Sequence, residues 1–231
     1  SEVGLIRSIK KLFQKTEKKS LDVKTIPLSE YVHEDSATQK IKPTPSLTAG
    51  SSHSIGIQRD HNEDTLFLCT SVLSDEKINL PFGLFIVADG MGGHQHGELA
   101  SSTAVKVFVN KIMQEIFPSV MGIREQGDES FQEVVEEAVR QVQTEVTRKA
   151  PGGGTTISAA MVIGDRVTIA HVGDSRVYFV YPDGHIQVMT HDHSLVRRLV
   201  ELGQITDAEA ALHPQRNVLY RAIGQSEPFK P

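Results

Sequence analysis

The chain has 231 residues, of which 39% are hydrophobic and 23% charged, and a formal net charge of −5 at pH 7. That composition suits one globular domain with an extension and excludes collagen-like and disulfide-scaffold proteins. A single cysteine, Cys69, forbids an intrachain disulfide, and the acidic balance argues against nucleic acid as the main partner. The expected setting is therefore a reducing cytoplasm. No apolar stretch approaches the ~20 residues of a transmembrane segment, and the start of the chain lacks the apolar core of a signal peptide.

Charge is uneven along the chain. The first fifty residues hold nine basic and six acidic residues, leaving fifteen and twenty-three for the rest. Leu5, Ile6, Ile9, Leu12 and Phe13 recur at helical spacing among Arg7, Lys10, Lys11 and Lys15. Such a basic amphipathic helix packs on its own domain or frays, meets a partner domain or touches an anionic membrane surface. From Thr25 to Ser52 the chain is polar, with Pro27, Pro43 and Pro45, and reads as a linker. We expect residues 1–51 to form a basic extension and linker, and residues 52–231 one domain.

Within that domain, Arg59-Asp60-His61-Asn62-Glu63-Asp64 follows a short alternating stretch and precedes the strand-like Thr65-Leu66-Phe67-Leu68. Adjacent carboxylates repel, so Glu63 and Asp64 are either solvated in a turn or face a cation. The planar fork of Arg59 suits a phosphate. Next, the apolar run Phe85-Ile86-Val87-Ala88 ends in Asp89-Gly90-Met91-Gly92-Gly93. It reads as a buried strand that delivers the Asp89 carboxylate to the mouth of a cleft. A divalent cation would offset the desolvation of that carboxylate, and the glycines would let a carbonyl such as that of Gly90 approach as a ligand. The competing reading is a glycine turn whose Asp89 caps a helix beginning near Gly97. His94 and His96 read as turn or solvent residues, because the oxygen-rich set accounts for a hard cation without them.

Ala100, Ala104, Val105, Phe108, Val109, Ile112 and Ile116 trace one helical face, and Phe131, Val134, Val135, Ala138, Val139, Val142 and Val146 a second. Ser130 with Glu133, and Thr206 with Glu209, have the spacing of capping boxes. Gly152-Gly153-Gly154 lacks the Lys of a nucleotide loop and reads as a turn into the strand Thr156 to Ile163. Thr168 to Val180 reads as strand, acidic turn and strand. Its Gly173-Asp174-Ser175 starts like a nucleophile elbow, but Val177 stands where a second glycine is required, so a serine nucleophile is rejected. Tyr181 to His185 is a hairpin turn. Arg197 and Arg198, on a short helix, meet acidic or phosphorylated substrates or point to water.

Taken in order, Arg59 to Asp64, Ala88 to Ser101, Gly154-Thr155-Thr156, Val172 to Arg176, Thr190 to Ser194 and Asn217 to Gly224 resemble the motifs of the metal-dependent protein phosphatases of type 2C, bacterial branch. The resemblance covers about Ser54 to Gly224. It implies an α+β fold, a β-sandwich flanked by helices in four αββα layers. It also implies two Mg²⁺ or Mn²⁺ ions, a possible third, and hydrolysis of phosphoserine and phosphothreonine in proteins by a metal-activated water, opposing a Ser/Thr kinase. Carried onto this chain, Asp89 bridges the ions and the Gly90 carbonyl binds one. Glu63 and Asp64 hold the water around them, Arg59 grips the substrate phosphate, and Asp174 helps bind the third ion. Met91 occupies the position where many eukaryotic members carry a histidine acid, so a side-chain acid there is excluded. Family members continue with two further acidic elements and the last strands. Their absence before Pro231 leads us to expect an incomplete catalytic domain, with a catalytically inactive sensor or scaffold as the alternative.

Overall fold

Strand β2 (Asn79–Ala88) is apolar at nearly every position, and its place in the sheet explains why. It lies between β1 (Thr65–Ser74) and β5 (Ile157–Ile163), with β6 (Arg166–Val172) completing a four-stranded antiparallel sheet in the order β1-β2-β5-β6. Successive strand side chains face opposite ways. Phe82, Leu84, Ile86 and Ala88 are therefore all buried on one face. In register they meet Phe67 and Cys69 of β1 and Ala159 and Met161 of β5. On the opposite face Leu66, Leu68, Phe85, Val87 and Ala160 line a groove of about 590 Å³, bordered by residues 48–52.

The computed structural model describes residues 46–57, 61–74, 79–93, 95–123, 125, 127 and 129–225. By contacts the chain divides into Ser1–Lys42 and Pro43–Pro231. The expected basic helix lies outside the described residues, as do Arg59 and His94.

Two helices cover the buried face of the sheet. Helix α1 (Gln95–Glu115) begins two residues before the expected Gly97 and buries Ala100, Ala104, Val105, Phe108 and Ile112. Pro118 sits in the first turn of α2 (Phe117–Val120), and Phe117 meets Phe82 edge-on with ring centroids 5.0 Å apart. Helix α3 (Phe131–Lys149) presents Val134, Val135, Ala138, Val139, Val142 and Val146 to the same core. Ser130 and Glu133 close its capping box, so two of the N–H groups orphaned at that helix start have partners.

The remaining sheet structure is short. β3 (Gly90–Met91) pairs with β4 (Gly154–Thr155), and β7 (Tyr178–Val180) with β8 (Ile186–Val188) across the expected Tyr181–His185 turn. Isolated bridges join Thr155 to Ile223 and Ser194 to Leu219. Helices α4 (Leu195–Glu201) and α5 (Asp207–Leu212) follow, the latter with the expected Thr206–Glu209 box. The protein is thus α+β, with antiparallel sheets and packed helices. No helix among the described residues is long and apolar enough to cross a membrane.

Candidate active site

The expected acids collect at one end of the four-stranded sheet, and strand register says how. The last β1–β2 pair is Thr65 with Ala88, and Asp64 and Asp89 are the residues that adjoin this pair at the open end of the hairpin. Both residues are exposed. Across the next seam Thr156 holds the Asp89 backbone in two directions. Its Oγ1 accepts the Asp89 N–H at 2.9 Å, and its own N–H donates to the Asp89 carbonyl at 2.9 Å. Thr155 Oγ1 donates to the same carbonyl, also at 2.9 Å. Asp89 sits on a fixed main chain while its carboxylate faces outward.

Glycines make room behind this pair. A Cβ on Gly90 would lie 2.3 Å from the Gly97 carbonyl oxygen and 2.6 Å from that of Glu63, and one on Gly97 would lie 2.0 Å from Glu63 Oε2. Glu63, only 8% exposed, therefore tucks its carboxylate against the first turn of α1, the electropositive end of a helix dipole. Ser101 Oγ donates to the Glu63 carbonyl at 2.6 Å and fixes that approach. Met91 pairs with Gly154, and the thioether packs on that glycine.

Asp174 stands apart. It follows Gly173, which lies opposite Thr156, two strands over from Asp89 and on the order of 10 Å away. Gly173 has φ +116, and a Cβ there would meet Thr156 Cγ2 at 2.5 Å. The segment 189–194 is fastened along this turn. Met189 N–H donates to the Val177 carbonyl at 2.8 Å, and Thr190 Oγ1 accepts the Val177 N–H at 3.1 Å. Arg176 grips Asp192 with two bonds, 2.8 and 2.6 Å, which raises its pKa further above an already high value. His193 donates its backbone N–H to the Gly173 carbonyl at 2.7 Å and accepts the Gly173 N–H on Nδ1 at 3.1 Å. His171 stacks on His193 at 5.2 Å, takes Ser158 Oγ on Nδ1 at 2.8 Å, and reaches the His191 carbonyl through Nε2 at 3.0 Å.

The protein phosphatase 2C profile matches residues 50–219. This chain belongs to the protein phosphatase 2C family. It is 37% identical over 168 residues to the serine/threonine phosphatase stp of Listeria monocytogenes, an alignment spanning 72% of this chain and 62% of that protein. Among solved structures it resembles the serine/threonine phosphatase of S. agalactiae at 34% identity and TM-score 0.57, over 77% of this chain and 69% of that one. The catalytic domain of the serine/threonine protein phosphatase PstP, solved with two manganese ions, aligns at 27% identity and TM-score 0.54, over 76% and 66% of the two chains.

Within this phosphatase 2C chain, Asp64 and Asp89 follow the last pair of the β1–β2 hairpin, Gly90 packs against Glu63 and Gly97, and Asp174 lies two strands away. Among the described residues no three His, Cys, Asp or Glu side chains converge closely enough to hold a metal ion. The donors nevertheless fit a hard cation. They are carboxylates and a backbone carbonyl, the hard oxygen donors that such a cation prefers. Sequence reasoning placed Thr155, Thr156 and His193 in motifs but gave no role to them or to Ser158 and His171. The signal available for the threonines was a hydroxyl pair directly before a buried strand, and for His193 the repeated His around Asp192.

Arg197 and Arg198 do not stand alone over solvent. Arg197 pairs with Asp207 at 3.3 Å, and Arg198 with Glu201 at 3.5 Å, while His191 also bonds Glu201. Glu201 is held below the usual carboxylate range, chiefly by that histidine.

Burial, then the neighbouring His171, pushes His193 down to about 4, and burial also lowers His171. Between the ordinary histidine range and pH ~4 the unfolded chain takes up protons that the folded chain refuses. Stability is complete above pH ~6.5 and falls as pH drops toward 4, by about 2 kcal/mol once partial exposure is discounted. Urea midpoints at neutral pH and at pH ~4.5 measure it. Equal midpoints would contradict the burial of these rings.

Proposed function

We propose that residues 52–231 act as the catalytic part of a metal-dependent serine/threonine protein phosphatase. The observation that carries this reading is the placement of Asp64 and Asp89 directly beyond the last pair of one hairpin, beside a Gly90 whose backbone has no room for a side chain. Family membership supports it, as does the two-manganese complex of the PstP domain.

Asp89 would be the central carboxylate holding two divalent cations, Mg²⁺ or Mn²⁺. Thr155 and Thr156 hold its backbone, which fixes the point from which the carboxylate projects. The Gly90 carbonyl would supply one oxygen ligand, Glu63 and Asp64 would orient the water around the ions, and Asp174 would serve a further cation. When bound, the ions supply an activated water near neutral pH and neutralise charge on the phosphoryl oxygens. Arg59 aligns the substrate phosphate through two parallel hydrogen bonds. Met91 carries no proton to give the leaving alkoxide. Substrates are proteins bearing phosphoserine or phosphothreonine, placed there by a Ser/Thr kinase.

The test is metal dependence. Hydrolysis of a phosphothreonine peptide by the full-length protein should require Mn²⁺ or Mg²⁺ and stop with chelator, and Zn²⁺ should substitute poorly. Undiminished turnover after dialysis against excess chelator would end the two-cation reading.

A further inference from the structure

The Gly173-Asp174 turn is clamped from two sides. From the sheet side, Thr156 crowds Gly173 and its Oγ1 meets Ser175 Oγ at 2.9 Å. The same hydroxyl accepts the Asp89 N–H, so one threonine ties the turn to Asp89. From the other side comes His193, which engages both backbone polar groups of Gly173, one through its own N–H and one through its ring. Gly173 is buried, so its N–H depends on that ring nitrogen for a partner. Accepting on Nδ1 requires a neutral ring with its hydrogen on Nε2. Stacking on His171 and an edge contact with Tyr220, centroids 5.7 Å apart, hold the ring in place.

His193 is also where the distal segment begins. Its carbonyl accepts the Tyr220 N–H at 3.0 Å, and the adjacent Ser194 caps α4 and bridges to Leu219. The Gly173 turn and the helices after residue 194 therefore share one fastening point.

We propose that His193 is a positioning residue: its Nδ1, by accepting the Gly173 N–H, sets the turn that aims Asp174 and makes that aim depend on the docking of residues 194–220. This rests on the reading of Asp174 as a cation ligand. Groups that orient metal ligands from behind change metal affinity when removed, although they touch no metal. His193 acts on Asp174 through the backbone, because the ring bonds the residue before it.

The experiment compares His193→Leu, which removes the acceptor, with His193→Asn, whose Oδ1 stands where Nδ1 stood. Two readouts are taken on the full-length protein: amide exchange at Gly173 without metal, and calorimetric titration with Mn²⁺. His193→Leu should speed exchange at Gly173 and weaken the Asp174-dependent Mn²⁺ component by about tenfold. His193→Asn should restore both. The double variant with Asp174→Asn should bind Mn²⁺ no more weakly than Asp174→Asn alone, because a positioning role has nothing left to position. If His193→Leu does not fold, His193→Gln, with its acceptor one bond farther out, gives the same comparison. Unchanged Gly173 exchange, or failure of Asn to restore it, would overturn the proposal. So would an unchanged Mn²⁺ titration in His193→Leu beside a weakened one in Asp174→Asn. Unchanged Mn²⁺ binding in Asp174→Asn itself would instead overturn the role of Asp174, and with it the proposal.

Discussion

Asp89→Asn should lower kcat for a phosphothreonine peptide by more than about 100-fold, the scale seen when one preorganised electrostatic group is removed from a site. The change is nearly isosteric. The bonds that hold residue 89 to Thr155 and Thr156 are all to its backbone, so the fold should survive and the loss should be chemical. Two neighbours serve as controls with different signatures. Arg59→Ala should act mainly on KM, because it removes a grip on the phosphate. Met91→Ala should be mild, since its thioether packs on Gly154 and has no proton to transfer. Near wild-type turnover of Asp89→Asn in saturating Mn²⁺ would show that the bridging carboxylate has been misassigned.

For stability the largest effect should come from a single methyl group. Gly90→Ala would set a Cβ 2.3 Å from one backbone carbonyl oxygen and 2.6 Å from another, on Gly97 and Glu63. Neither can swing aside as a side chain would, so α1 or the 63–65 segment must move. We expect a loss of about 3 kcal/mol or more, read from urea midpoints. Gly127→Ala, with nothing within 4 Å of its added Cβ, should stay within about 0.5 kcal/mol of the parent. Equal midpoints for the two variants would mean that α1 does not press on the 63–65 segment.

The local features were legible wherever one physical rule dominated. The two amphipathic stripes became α1 and α3 because burying a continuous apolar face leaves a helix little choice. Both capping boxes were visible as Ser or Thr with Glu three residues on, a bond between near neighbours. Asp89 at the mouth of a buried strand was equally readable, from an apolar run that stops at a charge. Strand β1 proved longer than Thr65 to Leu68, since Cys69 to Ser74 are held by pairing with Asn79 to Leu84 more than by their own pattern. What sequence could not yield were contacts between distant segments. Nothing near Thr156 says that its hydroxyl meets the Asp89 amide, 67 positions away. Likewise the two bonds from His193 to Gly173 depend on how a loop lies over a turn 20 residues earlier.

The sheet order gives the site a history as well as a position. Asp64 and Asp89 belong to one hairpin, β1–β2, whereas Thr156 and the Gly173 turn flank another, β5–β6, with α1 to α3 threaded between them. Each hairpin can close locally, but joining β2 to β5 means closing a loop of nearly seventy residues, an entropic cost met only once the intervening helices have packed. The seam that completes the sheet is the same seam that fastens Asp89 to Thr156. Catalytic competence should therefore emerge late in folding and all at once, because a chain with both hairpins formed but not yet joined would hold its acids in two unconnected halves.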